Sequence, residues 1–244
     1  MGSGIRPTGL DNAVAALRYY ERRQEVVANN LANVNTDGFK AERAFARLMS
    51  DGGTPEIETA TDFRAGPITA TGAPLDLAMS GDGFFVAQTA NGERFTRGGS
   101  LRLDDARQLV DQGGNALLAE PDAAGNGGGP VVIPADARTI TVSSSGVVDA
   151  DGKSLGRLRV ESVPAGTRLQ HDAGGLFVPD AARTSVAPAA RTIRQGAREE
   201  SNVGSVAALV DMIAVQRAYA SVQKVLTTID SARGIATSEL AKPN

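Results

Sequence analysis

Ala28-Asn29-Asn30-Leu31-Ala32-Asn33 closes a long stripe of apolar residues near the N-terminus of this chain. The stripe recurs at spacings of three and four residues, as the buried seam of an amphipathic helix does. Its eight positions, of which all but Gln24 are apolar, are Leu10, Ala13, Leu17, Tyr20, Gln24, Val27, Leu31 and Val34. The pattern predicts a helix from about residue 10 to about residue 34. Asn35-Thr36-Asp37-Gly38 then supplies residues that tolerate turn geometry, so we expect the helix to end there.

A second amphipathic pattern predicts a long helix near the C-terminus. Ser201 and Asn202 are candidate N-caps, and Gly234 is a candidate end point or site of fraying. The apolar stripe between them comprises Val206, Leu209, Val210, Ile213, Tyr219, Val222, Leu226 and Ile229. A helix this long extends beyond the surface that a small domain could cover. We therefore expect the terminal helices to pair with each other and with other subunits, although periodicity alone also fits helices packed on their own domain.

The middle of the chain has the period of β-strands. Phe84-Phe85-Val86-Ala87-Gln88 and Glu93-Arg94-Phe95-Thr96-Arg97 flank Asn91-Gly92, a dipeptide typical of hairpin turns. Further short apolar runs follow up to about residue 178, separated by Gly, Asn and Asp. The sequence therefore predicts an α+β fold, in which a discontinuous domain of paired, coiled-coil-like N- and C-terminal helices accompanies a central antiparallel β-domain.

The predicted boundaries follow from these changes of period. Residues 1–49 form an N-terminal helical domain that pairs with the C-terminal helix at 200–244, and residues 71–180 form the β-domain. Extended linkers are expected at 50–70 and 181–199, where Thr, Pro, Gly and Ala recur without a clear period.

Composition argues against several function classes. The 244 residues carry a formal net charge of −3, so the chain has no basic field for nucleic acid. Cysteine is absent, which excludes disulfides and thiolate metal sites. No uninterrupted apolar run approaches the roughly 20 residues of a membrane span. The first residues lack the apolar core of a cleaved signal peptide, so we expect any export to use another route.

Candidate catalytic residues are few. His171 is the single histidine, and it is predicted to lie in an exposed turn. The carboxylate pairs Asp104-Asp105 and Asp149 with Asp151 have the chemistry for glycoside cleavage, but turn signals flank both. The glycine run at 125–129 lacks the Lys and Ser/Thr of a phosphate-binding loop. We therefore expect no enzyme activity, cofactor, metal or small-molecule substrate.

Four motifs, in order along the chain, resemble those of the flagellar rod and hook family. The motifs are Asn29 to Lys40, Leu75 to Val86 with Phe95-Thr96-Arg97, Glu200-Ser201-Asn202-Val203, and Met212 to Tyr219. The resemblance implies a structural subunit of the bacterial flagellar basal body, which polymerises axially through its terminal helices with the β-domain outside. It also implies delivery by the flagellar type III export apparatus to the periplasmic rod, with other rod proteins and copies of itself as partners and no nucleic acid.

Within that family the chain most resembles the proximal rod members, and the distal rod members are the close alternative. The predicted assembly interface comprises Leu17, Tyr20, Val27, Asn29, Asn30, Leu31, Asn33, Gly38, Phe39, Asn202, Val203, Met212, Ile213, Gln216, Tyr219 and Leu226. The three asparagines could instead only terminate the helix locally. A function of another class, a cell-wall carbohydrate-binding β-domain with dimerising helices, is disfavoured because aromatics make up only 4% of the residues.

Overall fold

A computed structural model of the protein describes residues 9–47, 55–121, 128–164, 167, 169–180 and 182–240. Terminal helices and an antiparallel β region between them give the predicted α+β class. The helices are α1 (Gly9–Ala32) and α2 (Ser205–Leu240). The strands are β1 (Glu42–Arg47), β2 (Glu56–Thr61), β3 (Ile68–Ala70), β4 (Leu77–Ser80), β5 (Phe84–Thr89), β6 (Gly92–Thr96), β7 (Arg102–Leu103), β8 (Leu109–Val110), β9 (Ala116–Leu117), β10 (Ile140–Val142), β11 (Val147–Ala150), β12 (Lys153–Arg157), β13 (Val160–Ser162), β14 (His171–Asp172), β15 (Leu176–Phe177), β16 (Thr184–Ser185), β17 (Thr192–Gln195) and β18 (Ala197–Glu199).

The chain divides into two compact units. The helical unit takes residues 1–32, 42–62 and 203–244, and the β unit takes residues 33–41 and 63–202. In the helical unit, α1 packs against both β1 and α2. β1 and β2 form an antiparallel hairpin in which Glu42 pairs with Thr61. Arg47 of this hairpin forms ion pairs across the strands with Glu56 and Glu58.

Both ends of α2 differ from the prediction. Its first backbone hydrogen bond runs from the Ala208 amide to the Gly204 carbonyl, so Ser201 and Asn202 are not its N-caps. Asn202 is engaged elsewhere, since its side chain accepts a hydrogen bond from the Ala41 amide and donates one to the Arg64 carbonyl. Gly234 lies inside the helix and does not end it. A single glycine costs a helix only about 1 kcal/mol, which a helix this long tolerates.

Strands occur where the sequence analysis expects linkers. The range 50–70 holds β2 and β3 in its described part, and 181–199 holds β16, β17 and β18. The strand β3 pairs with β18, and β4 pairs with β17. Each partner lies more than 100 residues away along the chain, so local sequence periodicity does not reveal the pairing.

The β unit is built from antiparallel pairs throughout its described strands. Its largest sheet runs β14-β15-β6-β5-β9-β8-β7, with β13 joined to both β5 and β16, and β10-β11-β12 form a second sheet. The predicted hairpin at Asn91-Gly92 is confirmed, because β5 and β6 pair across it from Phe85–Thr96 to Thr89–Gly92.

Strand β5 is the centre of this unit because both of its faces are buried. Successive side chains of a strand point to opposite faces. Phe85 therefore joins a cluster with Leu117 and Leu158 on one face, whereas Phe84 and Val86 join a second cluster on the other. The second cluster is rich in aromatic rings: Phe84 stacks on Phe95 at 5.4 Å between ring centroids and lies 5.7 Å from Phe177.

An ion-pair network crosses the surface of the β unit. The Glu93 carboxylate accepts hydrogen bonds from Arg159 at 2.8 Å and from Arg183 at 2.6 Å. Both arginines also pair with Glu161. Burial opposes ionisation of Glu93, but the hydrogen bonds from the two arginines outweigh it and hold the pKa of Glu93 below its ordinary value.

Truncation of Phe85 tests the central position of β5. Phe85→Ala is expected to lower the free energy of unfolding of the protein by about 3–5 kcal/mol, since it empties a fully buried site. The matched control is Gln88→Ala, on the exposed part of the same strand, which is expected to change it by less than about 0.5 kcal/mol. Urea denaturation measures both, and equal effects would show that β5 is not central to the core.

The low pKa of Glu93 predicts a loss of stability in acid. Its ionised form is stabilised in the folded state, so the stabilisation is present above the unfolded pKa of about 4.3 and lost as pH falls through the lower folded pKa. Thermal unfolding between pH 7 and pH 2 should therefore show Glu93→Gln less stable than the wild type at neutral pH. The two should converge in strong acid. The control Asp105→Asn, at an exposed position, should follow the wild type throughout.

Candidate assembly interface

Helix α2 presents one apolar face to α1. The residues buried or partly buried along this inner face recur at spacings of three and four: Ala208, Met212, Val215, Tyr219, Val222, Leu226 and Ile229. The Tyr219 hydroxyl donates a hydrogen bond of 3.1 Å to the Glu21 carboxylate of α1. On α1, Ala13, Val26 and Val27 are buried, and Leu17, Tyr20 and Leu31 are partly buried.

A second apolar face of α2 is open. The outer face of α2, defined by Val206, Leu209, Val210 and Ile213, has side chains that remain 49% to 73% exposed. At about 100° per residue these four side chains cluster on the side of the helix opposite Ala208 and Val215. The single broad stripe predicted from the sequence is therefore wrong. It joins this outer face to Tyr219, Val222, Leu226 and Ile229, which belong to the inner face.

The outer face also makes α2 unusually apolar for an exposed helix. Ser205–Ile235 is long and apolar enough to cross a membrane by length and composition, and only 11% of its most apolar window is buried. Single helices that pass such a test are weak evidence of a membrane segment. The stretch is not an uninterrupted apolar run, because Asp211 and Arg217 lie within it.

Of the three signature asparagines, Asn30 has the clearest structural role. Its side-chain amide donates to the Glu42 carbonyl at 2.8 Å and accepts from the Glu42 amide at 2.9 Å. The buried Asn30 therefore pairs with the first residue of β1 as a neighbouring strand would. Asn29 is exposed, and Asn33 accepts a hydrogen bond from the Thr36 hydroxyl at 3.1 Å in the turn after α1.

Gly38 and Phe39 hold the chain where it enters the β unit. Gly38 has φ of +68°, and a Cβ at this position would lie 2.3 Å from the carbonyl carbon of Arg97. Only glycine fits such a left-handed and crowded position. Phe39 is buried and lies 5.7 Å from the His171 ring. The turn expected at Gly38 is present, and Phe39 is buried directly after it.

Beside them lies a group of charges that the sequence analysis did not single out. We call Lys40, Arg97 and Glu199 the buried charge cluster, because none of their side chains is more than 4% exposed. One oxygen of the Glu199 carboxylate accepts from Lys40, and the other accepts from Arg97 at 3.1 Å. Burial lowers the pKa of Arg97, whereas Glu199 works in the opposite direction. Sequence could mark these residues as charged, but not as buried.

Backbone groups complete the buried charge cluster. Lys40 donates to the Arg64 carbonyl at 2.9 Å, and the Gly66 amide donates to Glu199 at 2.9 Å. The guanidinium of Arg97 reaches the Gly81 carbonyl at 2.6 Å. Each charge thus has several partners, as buried ions require.

The remaining predicted interface residues differ in exposure. Ile213 and Gln216 are exposed, whereas Asn202, Val203, Met212, Tyr219 and Leu226 are partly buried. An open groove of about 470 Å³ is lined by Glu21, Gln24, Glu25, Ala28 and Tyr219 of the two helices. The helical unit thus offers two open surfaces among its described residues, the outer face of α2 and this groove.

Three of the candidate catalytic residues, His171, Asp104 and Asp151, make local structural contacts. His171 lies in β14, 4.5 Å from the Phe177 ring, so the predicted exposed turn is wrong. Asp104 accepts a hydrogen bond from the Gln108 amide at 2.7 Å, as turn carboxylates do, and Asp151 accepts one from the more distant Thr139 amide at 2.8 Å. Residues 125–127 of the glycine run lie outside the described residues. Within the described part of the chain, no group of three or more His, Asp or Glu side chains is placed to hold a metal.

Comparison with known proteins covers both ends and the middle of the chain. Residues 10–40 match the family model of the flagella basal body rod protein. Residues 78–150 match that of the flagellar hook protein FlgE/F/G D1 domain, and residues 194–238 match that of the flagellar basal body rod FlgEFG protein C-terminal region. The flagellar basal-body rod protein FlgF of Caulobacter vibrioides is 33% identical over 91% of this chain and 94% of its own length. FlgF of Escherichia coli is 32% identical over 94% of this chain and 96% of its own length. The rod protein FlgG of Bacillus subtilis is 29% identical over 91% of this chain and 94% of its own length.

The pairing of Asn30 with β1 predicts a local effect of substitution. Asn30→Asp removes the donor to the Glu42 carbonyl and places a carboxylate against it, at an expected cost of about 1–3 kcal/mol in opening the start of the hairpin. Amide hydrogen exchange at Glu42 should accelerate, while exchange in the β5 core should not change. Asn12→Asp, at an exposed position of the same helix, is the control. Unchanged exchange at Glu42 would rule out this role.

Proposed function

Because this chain belongs to the flagellar basal-body rod protein family, whose members are structural rod subunits, we propose that it assembles axially through its terminal helices as part of the proximal rod. The observation that carries this proposal is the outer face of α2. Four large aliphatic side chains on one face remain exposed while the opposite face packs on α1. Contiguous apolar surface of this kind marks a protein or membrane contact.

A protein contact fits the outer face better than a lipid contact. Arg217 and Lys224 continue the same side of α2 toward its C-terminal end, at helical spacing from Ile213, and both are exposed. The apolar part of the outer face is therefore only about two turns long. A membrane span needs about 20 residues, whereas two turns match a contact between helices. We assign this contact to the terminal helices of neighbouring rod subunits, copies of this chain or other rod proteins.

The other predicted interface residues divide into two roles in this proposal. Leu17, Tyr20, Val27, Leu31, Met212 and Leu226 hold α1 and α2 together in a coiled-coil-like pair, and Tyr219 adds its hydrogen bond to Glu21. Ile213, Gln216 and Asn29 are exposed and face neighbouring subunits. Asn30, Asn33, Gly38, Phe39, Asn202 and Val203 act indirectly, since they shape the chain where the helices begin and end.

The relatives support the place within the flagellum that we propose. FlgF proteins lead the comparison, with 33% identity against 29% for a FlgG. We therefore favour the proximal rod, with the distal rod as the alternative, in the periplasm and supplied by the flagellar type III export apparatus. We also propose that the chain is structural and not an enzyme, like the rod proteins it resembles.

A charge on the outer face of α2 tests the assembly role. Val210→Asp is expected to leave the circular dichroism of the purified protein unchanged, because the side chain is 60% exposed. In cells that carry the variant in place of the native copy, we expect at least a tenfold loss of protein recovered in purified basal bodies, together with loss of swimming. The loss follows because an unpaired carboxylate would be buried in the contact.

The matched control is Gln223→Asp, an exposed position of α2 that lies on neither the inner nor the outer face. It should assemble normally. Normal basal bodies with Val210→Asp would contradict the proposed contact. Locating the labelled chain in a map of the intact basal body then distinguishes the proximal from the distal rod.

A further inference from the structure

The buried charge cluster lies where separate segments of the β unit lead into the helical unit along the chain. The chain passes from one unit to the other after residues 32, 41, 62 and 202. Lys40 lies just before the crossing after residue 41, Arg64 lies just after the crossing at residue 62, and Glu199 lies three residues before the crossing after residue 202. All three segments therefore meet at one carboxylate.

Hydrogen bonds cross-link these segments around Glu199. The Gly38 amide donates to the Glu199 carbonyl at 2.7 Å, and the Asn202 amide donates to the Phe39 carbonyl at 3.2 Å. The Ala41 amide donates to the Asn202 side chain at 2.7 Å. The segment at 64–67 is bound in the same way, since the Glu200 amide donates to the Pro67 carbonyl at 2.8 Å.

Close packing leaves the segments little independent freedom. A Cβ on Gly66 would lie 2.1 Å from the Glu200 carbonyl oxygen, and one on Gly38 would lie 2.3 Å from the Arg97 backbone. The charges add a second constraint. Two buried cations share the carboxylate of Glu199, so removing its charge takes this ion pair from both Lys40 and Arg97. Opening any one segment removes partners from the other two.

We infer that the buried charge cluster is a latch that makes residues 38–41, 64–67 and 197–202 open and close as one cooperative unit. Local unfolding in proteins proceeds through such contiguous units. The latch gives the β unit two states, in which these three segments are either all closed or all open. The apolar clusters around β5 stay folded in both states. It uses only residues of the β unit, so it does not depend on the proposed assembly of the terminal helices.

Hydrogen exchange on the full-length protein tests this inference. In the wild type, the amides of Gly38, Ala41, Gly66, Glu200 and Asn202 should share one opening equilibrium. That equilibrium should lie below the protection of core amides such as Leu118, which donates to the Val86 carbonyl. Clearly different opening equilibria among the five amides would overturn the inference of one cooperative unit.

The sharper measurement uses Glu199→Gln, which keeps the size of the side chain and removes its charge. Protection of all five amides should fall together, on the order of 100-fold, because two buried cations lose their partner. Protection of Leu118 should not change. A fall confined to Gly66, whose amide bonds the substituted side chain, would show separate contacts and not a latch. An equal fall at Leu118 would show a general loss of stability.

Two further variants keep the test decisive if Glu199→Gln does not fold. Asn202→Ala removes the acceptor of the Ala41 amide at a partly buried position, and it should lower protection at Gly66 as well as at Ala41. An effect limited to Ala41 would contradict the latch. The double variant Lys40→Met with Glu199→Gln should lose less protection than the sum of the two single variants, since it removes one of the stranded cations. Additive losses would likewise count against it.

Discussion

The carboxylate of Glu199 forms ion pairs with two buried cations, Lys40 and Arg97, and these pairs constrain the connections of the β unit. Neither Lys40 nor Arg97 can leave water without an anion beside it. The anion comes from the far end of the chain, more than 100 residues away, on β18. Because β18 also pairs with β3, satisfying the charges fixes the segments that lead in and out of the β unit. Buried ion pairs add little net stability, so their effect here is to specify where these segments lie.

The two units differ in how they obtain stability. The β unit surrounds β5 with two apolar clusters that include four phenylalanines, and its core is complete within one chain. In the described part of the helical unit, the fully buried apolar side chains are mostly small: Ala13, Val26, Val27, Ala208 and Val215. Helices gain most of their stability from tertiary packing. The helical unit therefore has a modest core relative to its length, and the outer face of α2 leaves further apolar area to be covered.

The sequence predicts features that depend on neighbouring residues and misses those that depend on distant ones. Helix α1, its turn at Gly38 and the β5–β6 hairpin are all marked locally, by period and by turn residues. The pairing of β4 with β17 and the burial of Glu199 join residues far apart, and no local pattern reports them. Helix α2 was predicted, but its faces were not. Apolar residues on two opposite faces of its N-terminal half merge into one broad stripe, and only the position of α1 separates Val215 from Val210.

The two apolar faces of α2 set different demands on a rod subunit. The inner face is satisfied by α1 of the same chain, so it serves the fold of each copy. The outer face, which ends at Ile213 and is followed by Arg217, is left open by the described helical unit. In the proposed assembly, another molecule covers it. Its short length limits the contact to about two helical turns, too little for a strong pairwise complex. A contact this small becomes stable when it is repeated along a helical assembly in which each subunit touches several others.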